Sequence, residues 1–147
     1  MIVYADTSAL VKLFVRETSS DATREKLGQA QALGTGLLTR AELGSALARG
    51  AQRGYLSTEE ALEARHSLEV VWGSWVHIAI DEALASRAER IAWKYSLRGY
   101  DAVHLAAARV WKEELGHQIV LATFDKELWK AAELAGLQVW PEDDNDP

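Results

Sequence analysis

Ile2-Val3-Tyr4-Ala5-Asp6-Thr7-Ser8-Ala9-Leu10-Val11-Lys12-Leu13-Phe14 carries two backbone preferences on either side of one carboxylate. Ile2 to Ala5 is a short apolar run without polar alternation, the mark of a strand buried on both faces of a parallel sheet. Ser8 to Val15 reads as a short helix. Asp6 therefore stands where a buried strand gives way to a helix. In open α/β sheets that edge is where ligands are held.

The same change recurs along the chain. Thr18 to Gln31 reads as a second helix, Gly34 to Leu38 as a short strand, and Thr39 to Arg53 as a strong helix stopped by Gly54. Ser57 and Glu60 have capping-box spacing and begin a helix that runs to about Trp72. Val76 to Ile80 is the next strand, followed by helices from Asp81 to about Ser96 and from Asp101 to Leu115. Gln118 to Thr123 is a strand, Asp125 to Ala135 a helix closed by Gly136, and Leu137 to Trp140 the last strand. Such alternation predicts a three-layer α/β/α domain around a central parallel sheet, spanning residues 1–140. Residues 141–147, with Asp143, Asp144 and Asp146, read as an acidic, solvated tail.

Four acids fall at the turns of this pattern. Asp6, Glu42 and Asp125 follow the first, second and fourth strands, and Asp101 opens the helix leading into the fourth. Topology alone predicts that they meet at one edge of the sheet. Carboxylates brought together repel one another unless a cation neutralises them. A hard cation such as Mg2+ or Mn2+ takes oxygen ligands and keeps several of its waters. Two such ions about 3.5–4 Å apart activate water and stabilise the leaving oxygen of an in-line displacement. No nucleophilic side chain is then needed, which suits a chain with no cysteine and no recognisable Ser-His-Asp arrangement. Each acid also has a plainer reading: Asp6, Asp101 and Asp125 as helix N-caps, Glu42 as the partner of Thr39 in a capping box. Four independent caps need not share an edge, so the shared edge favours chemistry.

Composition narrows the classes. The absence of cysteine excludes disulfides and thiolate metal sites. No basic region precedes the first apolar run, which argues against a signal peptide, and Val70 to Ile80 is too short to span a bilayer. A soluble cytoplasmic protein with no membrane association is expected. The net charge of −6 argues against wrapping nucleic acid by bulk positive charge, but leaves room for phosphate met through cations and local arginines.

The segment from Asp6 to Phe14 resembles the opening motif of PIN-domain ribonucleases, in particular the VapC toxins of bacterial and archaeal toxin–antitoxin pairs. Thr39-Arg40-Ala41-Glu42-Leu43 resembles the second motif, Tyr100 to Ala108 the third, and Thr123-Phe124-Asp125-Lys126-Glu127-Leu128 the fourth. The resemblance runs from Ile2 to about Val139 with the motifs in family order. It implies a Mg2+- or Mn2+-dependent endoribonuclease acting on RNA, a cognate antitoxin protein that blocks the site, and a homodimer. By motif, Asp6 and Asp101 are the direct metal ligands, while Glu42 and Asp125 complete the catalytic pocket. Ser8 and Thr123 are either hydroxyls that orient the carboxylates or ordinary caps of the adjacent helices.

Other features have more than one reading. Glu42, Arg49 and Arg53 share one helix face, and Arg87, Lys94 and Arg98 another. Either stripe is a solvated surface or a hold on the RNA backbone. The six tryptophans fit a core or a dimer interface, with base stacking by Trp72 or Trp75 as the alternative. His104, one turn after Asp101, is expected to pack or to orient a site carboxylate. Gly34-Thr35-Gly36 lacks the third glycine of a dinucleotide loop. Two other functions compete with the nuclease. An aspartyl-phosphate enzyme would want a second acid at position 8, where this chain has Ser8. A non-catalytic PIN-like module would use the acidic pocket only to bind a basic partner peptide.

Overall fold

The computed structural model describes residues 1–143. In chain order the elements are β1 (Ile2–Ala5), α1 (Thr7–Leu10) with a 3-10 turn (Val11–Leu13), α2 (Ser20–Gly28), β2 (Ala32–Gly36), α3 (Thr39–Gln52) and α4 (Thr58–Trp72). They continue with β3 (Val76–Ile78), α5 (Glu82–Tyr95), α6 (Gly99–Leu115), β4 (Val120–Ala122), α7 (Lys126–Leu134) and β5 (Gln138–Trp140). All strand pairings are parallel, in the order β3-β2-β1-β4-β5. The expected three-layer α/β/α architecture is the one found. The last four residues of the acidic tail, Asp144 among them, lie outside the described residues.

Strand alternation assigns the two cores. Tyr4 and Leu121 face one side with Leu84, Ile91, Leu105 and Leu128 of α5, α6 and α7. Val3, Ala5, Val120 and Ala122 face the other with Leu10, Leu27, Leu43 and Leu68 of the first four helices. A sheet dry on both faces must read as continuous apolar runs, which is why the opening segment was legible. Gly34 lies directly against the Trp111 ring of α6. A Cβ built there would lie 2.6 Å from Trp111 Cζ3, so only glycine lets α6 rest on β2.

Local differences have local causes. The expected helix over 8–15 is one α turn followed by a 3-10 turn in which Lys12 is buried. Its ammonium donates to the Thr18 carbonyl at 2.7 Å, pairs with Glu17 at 3.1 Å and lies 4.2 Å from the Phe124 ring centre. β2 occupies 32–36 rather than 34–38, because Ala32, Leu33 and Gly34 pair with Ile2, Val3 and Tyr4, and Leu37 turns out into solvent. The Ser57–Glu60 capping box forms in both directions, at 3.0 and 2.7 Å. Of the tryptophans, Trp72 and Trp111 are buried, whereas Trp93 is 90% exposed. Trp72 stacks on His77 at 4.3 Å and meets Trp75 edge-on, so packing is the reading these two residues support. No helix among the described residues is long and apolar enough to cross a membrane.

Candidate active site

Parallel pairing brings the carboxyl ends of β1, β2 and β4 to one edge, and the chain arrives there with Asp6, Glu42 and Thr123–Asp125. The first turn of α6 adds Asp101.

Asp6 is 4% exposed and fully engaged. Its Oδ1 accepts from Ser8 Oγ at 2.7 Å and from the Ala9 amide at 3.0 Å, while Oδ2 accepts from Thr123 Oγ1 at 2.7 Å. Each hydroxyl is pinned in turn by an amide of the β4–α7 turn: Phe124 donates to Ser8 at 2.7 Å and Asp125 to Thr123 at 3.0 Å. The helix cap and the candidate metal ligand are thus one carboxylate. Burial pushes the Asp6 carboxyl up; the charge of His104 and the bonds from Ser8, Thr123 and Ala9 pull it down without overcoming burial.

Glu42 is not a cap. Leu38 precedes α3 without a side-chain cap, and Thr39 is buried with its hydroxyl 2.8 Å from that of Thr35, which itself donates to the Ala5 carbonyl at 2.7 Å. With Thr39 tied to the sheet, Glu42 turns to His104, whose Nε2 lies 3.0 Å from Glu42 Oε1 and whose Nδ1 lies 2.9 Å from the Tyr4 hydroxyl. Burial pushes the Glu42 carboxyl up, but the hydrogen bond and charge of His104, with Thr7, outweigh it and leave it below the usual carboxylate range. Burial pushes the His104 imidazole down, but its bond to Glu42 with the charges of Asp6, Glu42 and Asp101 outweighs that and leaves it above its ordinary value. The Thr7 hydroxyl lies near enough to act on Glu42, yet it is buried without a well-formed hydrogen bond among the described residues.

Asp101 and Asp125 share a counter-ion. Arg98, the residue before α6, donates from Nε to Asp101 Oδ2 at 3.1 Å and from Nη2 to Asp125 Oδ2 at 2.7 Å. Asp125 Oδ1 meanwhile caps α7 through the amides of Glu127 and Leu128. Asp101 sits in the third position of α6 and caps nothing. Its carboxyl is raised by burial and by the charge of Asp125, against the pull of Arg98 and His104.

The four acids therefore stand at one edge but are divided between two cationic side chains. Among the described residues no three acidic or histidine side chains stand in an array that would hold a metal. The chemistry of the donors nevertheless suits a hard cation. The side chains gathered there offer carboxylate and hydroxyl oxygens, the Thr7 hydroxyl is buried without a partner among the described residues, and two carboxyls are raised, chiefly by burial, so that a cation would favour their charged form.

Sequence reading missed the Arg98 bridge and the part of Tyr4, whereas His104 does orient a site carboxylate, one of the two roles expected for it. Arg98 stands three residues before Asp101, a spacing that signals a pair on a helix. The expected stripe of Arg87, Lys94 and Arg98 does not survive as a free basic face. Arg87 is bidentate to Glu113, Lys94 lies 5.0 Å from the Tyr95 ring centre, and Arg98 faces the site acids.

Comparison with known proteins places this arrangement. Residues 3–134 match the PIN domain model. Ribonuclease VapC45 of Mycobacterium tuberculosis is 31% identical over 95% of this chain and 95% of its own length. The solved structure of PAE2754 from Pyrobaculum aerophilum is 26% identical with a TM-score of 0.64, covering 95% of this chain and 83% of that one. A toxin–antitoxin complex from Klebsiella pneumoniae contains a chain that shares the fold at 19% identity, with a TM-score of 0.61 over 86% of this chain and 88% of its own. Since the family model covers nearly all of β1 through α7, and a relative matches almost end to end, the chain belongs to the PIN-domain family.

Proposed function

We propose that this protein is a Mg2+- or Mn2+-dependent endoribonuclease, the toxin of a toxin–antitoxin pair. The observation that carries the reading is the Asp6 cradle: a buried, raised carboxylate held by Ser8 and Thr123 at the ligand-binding edge of the sheet. Asp6 and Asp101 would hold the cation, and Glu42 and Asp125 complete the acidic pocket. A divalent cation there polarises a phosphoryl oxygen and lowers the pKa of a bound water toward neutrality.

The chain's own residues do the rest. Ser8 and Thr123 keep Asp6 from rotating, and an oriented ligand costs less to organise when the charge arrives. Glu42, kept ionised by His104, is an acceptor able to orient the attacking water. Residues 1–140 form the nuclease domain and 141–147 an acidic tail. The substrate is RNA, the setting is the cytoplasm, and the active species is a homodimer. The partner is an antitoxin protein, and a pocket that accepts the Arg98 guanidinium suits a basic antitoxin side chain.

The test is to incubate the purified, antitoxin-free protein with total RNA and Mn2+ or Mg2+, beside Asp101→Asn, and to map new RNA ends. Discrete cuts that vanish with chelator or in the variant are expected. A folded wild type that neither cuts RNA nor melts higher with Mn2+ would move the assignment to a non-catalytic module binding a basic peptide.

A further inference from the structure

Beyond the carboxylate edge, a groove of about 510 Å3 opens between the 3-10 turn after α1 and the second half of α3. Val11 and Val15 form one wall; Arg16, Arg49, Arg53 and Tyr55 rim it. The three guanidinium groups form no ion pair or hydrogen bond with any described residue. Elsewhere Arg24, Arg65, Arg87 and Arg98 all meet carboxylates. The one acid on the rim, Glu17, is already engaged by Lys12. In a chain of net charge −6, three arginines with no acceptor gather at one place.

The groove shares helix α3 with the site. Glu42, Arg49 and Arg53 lie on one face of α3, and Arg49 and Arg53 stand about 10 and 16 Å along the axis from Glu42. The opposite wall leads back through α1 to Thr7 and Asp6. A polyanion approaching four carboxylates is repelled unless cationic groups flank its path. Tyr55 is 79% exposed beside these arginines and offers a face on which a base stacks.

We infer that this groove is the track by which single-stranded RNA reaches the carboxylate edge, its phosphates on Arg49, Arg53 and Arg16 and a base on Tyr55. The inference rests on the ribonuclease reading and adds the path of the substrate. A peptide would use the apolar wall, but three unpaired guanidiniums beside an exposed ring match phosphates and bases more fully than a peptide backbone.

The experiment measures binding of a fluorescein-labelled, mixed-sequence single-stranded RNA in Mn2+ as a function of salt. Asp101→Asn serves as the uncut background, with cleavage by the wild type followed in parallel. Arg49→Gln with Arg53→Gln is expected to weaken binding at least about 10-fold and to flatten the log–log salt slope by about 1.4, the value for two lost phosphate contacts to a single strand. Tyr55→Ala is expected to weaken binding by on the order of 10-fold with little change in slope. The corresponding Arg→Lys pair keeps the slope, which separates lost charge from lost fold, and melting temperatures check folding. Unchanged affinity and slope in the glutamine pair, while the wild type still cuts RNA, would overturn the track and leave the ribonuclease standing. Absence of both cutting and binding in the wild type would remove both. Unchanged RNA binding with loss of binding to a partner protein would assign the groove to that protein instead.

Discussion

The two halves of the site hold their carboxylates in different ways. Asp6 is buried and bound by two hydroxyls and an amide, and the two hydroxyls are held in turn by the amides of Phe124 and Asp125. Asp101 and Asp125 are bridged by one guanidinium whose side chain is 75% exposed. Buried, fully connected bonds fix geometry, whereas an exposed ion pair is screened and readily exchanged. The comparison teaches that one half of the site is built before any ligand arrives. The other half carries a replaceable positive charge.

The largest effect is expected at the locked half. Asp6→Asn should reduce RNA cleavage by at least about 10²–10³-fold, the range for loss of one well-placed electrostatic group. Its metal-free melting temperature should shift only modestly, because removal of a charge that burial disfavours is set against the acceptor lost toward Thr123. A variant that still cuts at wild-type rate would break the assignment of Asp6.

Thr123→Val preserves shape but strips a partner from Asp6 Oδ2 and from the Asp125 amide. Stability measured by urea unfolding should drop by about 1–3 kcal/mol. Mn2+ affinity should fall about 10–100-fold. Unaltered affinity would mean that the cradle does not orient Asp6.

The pH dependence of the metal-free protein follows from the directions of the shifts. His104 is raised, so its contribution is complete below the ordinary imidazole value of about 6.5 and is lost as pH rises through its folded value. Glu42 is lowered, so its contribution is present above the ordinary carboxyl value of about 4.3 and is lost as pH falls through its folded value. Their pair is therefore at full strength between about pH 4.5 and 6.5. Asp6 and Asp101, both raised, favour the fold toward acid and weigh against it as they ionise. Melting curves in chelator should decline from mildly acid toward alkaline pH. With Mn2+ present, the stabilisation by mass action should grow as pH rises, because the carboxylates that bind it are then ionised. A pH-independent Mn2+ effect would contradict both carboxylate assignments.

Arg98→Gln should have the smallest effect. The melting temperature should change little, because the bridge is exposed, while Mn2+ should bind a few-fold more tightly once its competitor is gone. Weaker Mn2+ binding would show that Arg98 supports the cation site instead of standing in for it.

Much of this was readable before any coordinates. The apolar run of β1 and the strand–helix alternation specified a parallel sheet, and topology then placed Asp6, Glu42 and Asp125 at its carboxyl edge. Boundaries were less legible. The shift of β2 to 32–36 depends on pairing with β1, a partner thirty residues away in the chain. Glu42 looked like a capping-box partner because the local pattern allows it; Thr39 prefers Thr35 only because β2 lies beneath it. Arg87 pairs outside its own helix for the same reason, since Glu113 of α6 is remote in sequence and adjacent in space.

The sequence by itself determined the fold class, the edge where chemistry belongs and the carboxylates that reach it. These follow from hydrophobic periodicity and from the rule that parallel strands all point one way, neither of which needs side-chain positions. Only the tertiary structure decided which partner each carboxylate takes: Ser8 and Thr123 for Asp6, His104 for Glu42, Arg98 for Asp101 and Asp125. Those choices depend on distances of a few ångströms between segments up to about 117 residues apart in sequence, and only the packed sheet and helices set them.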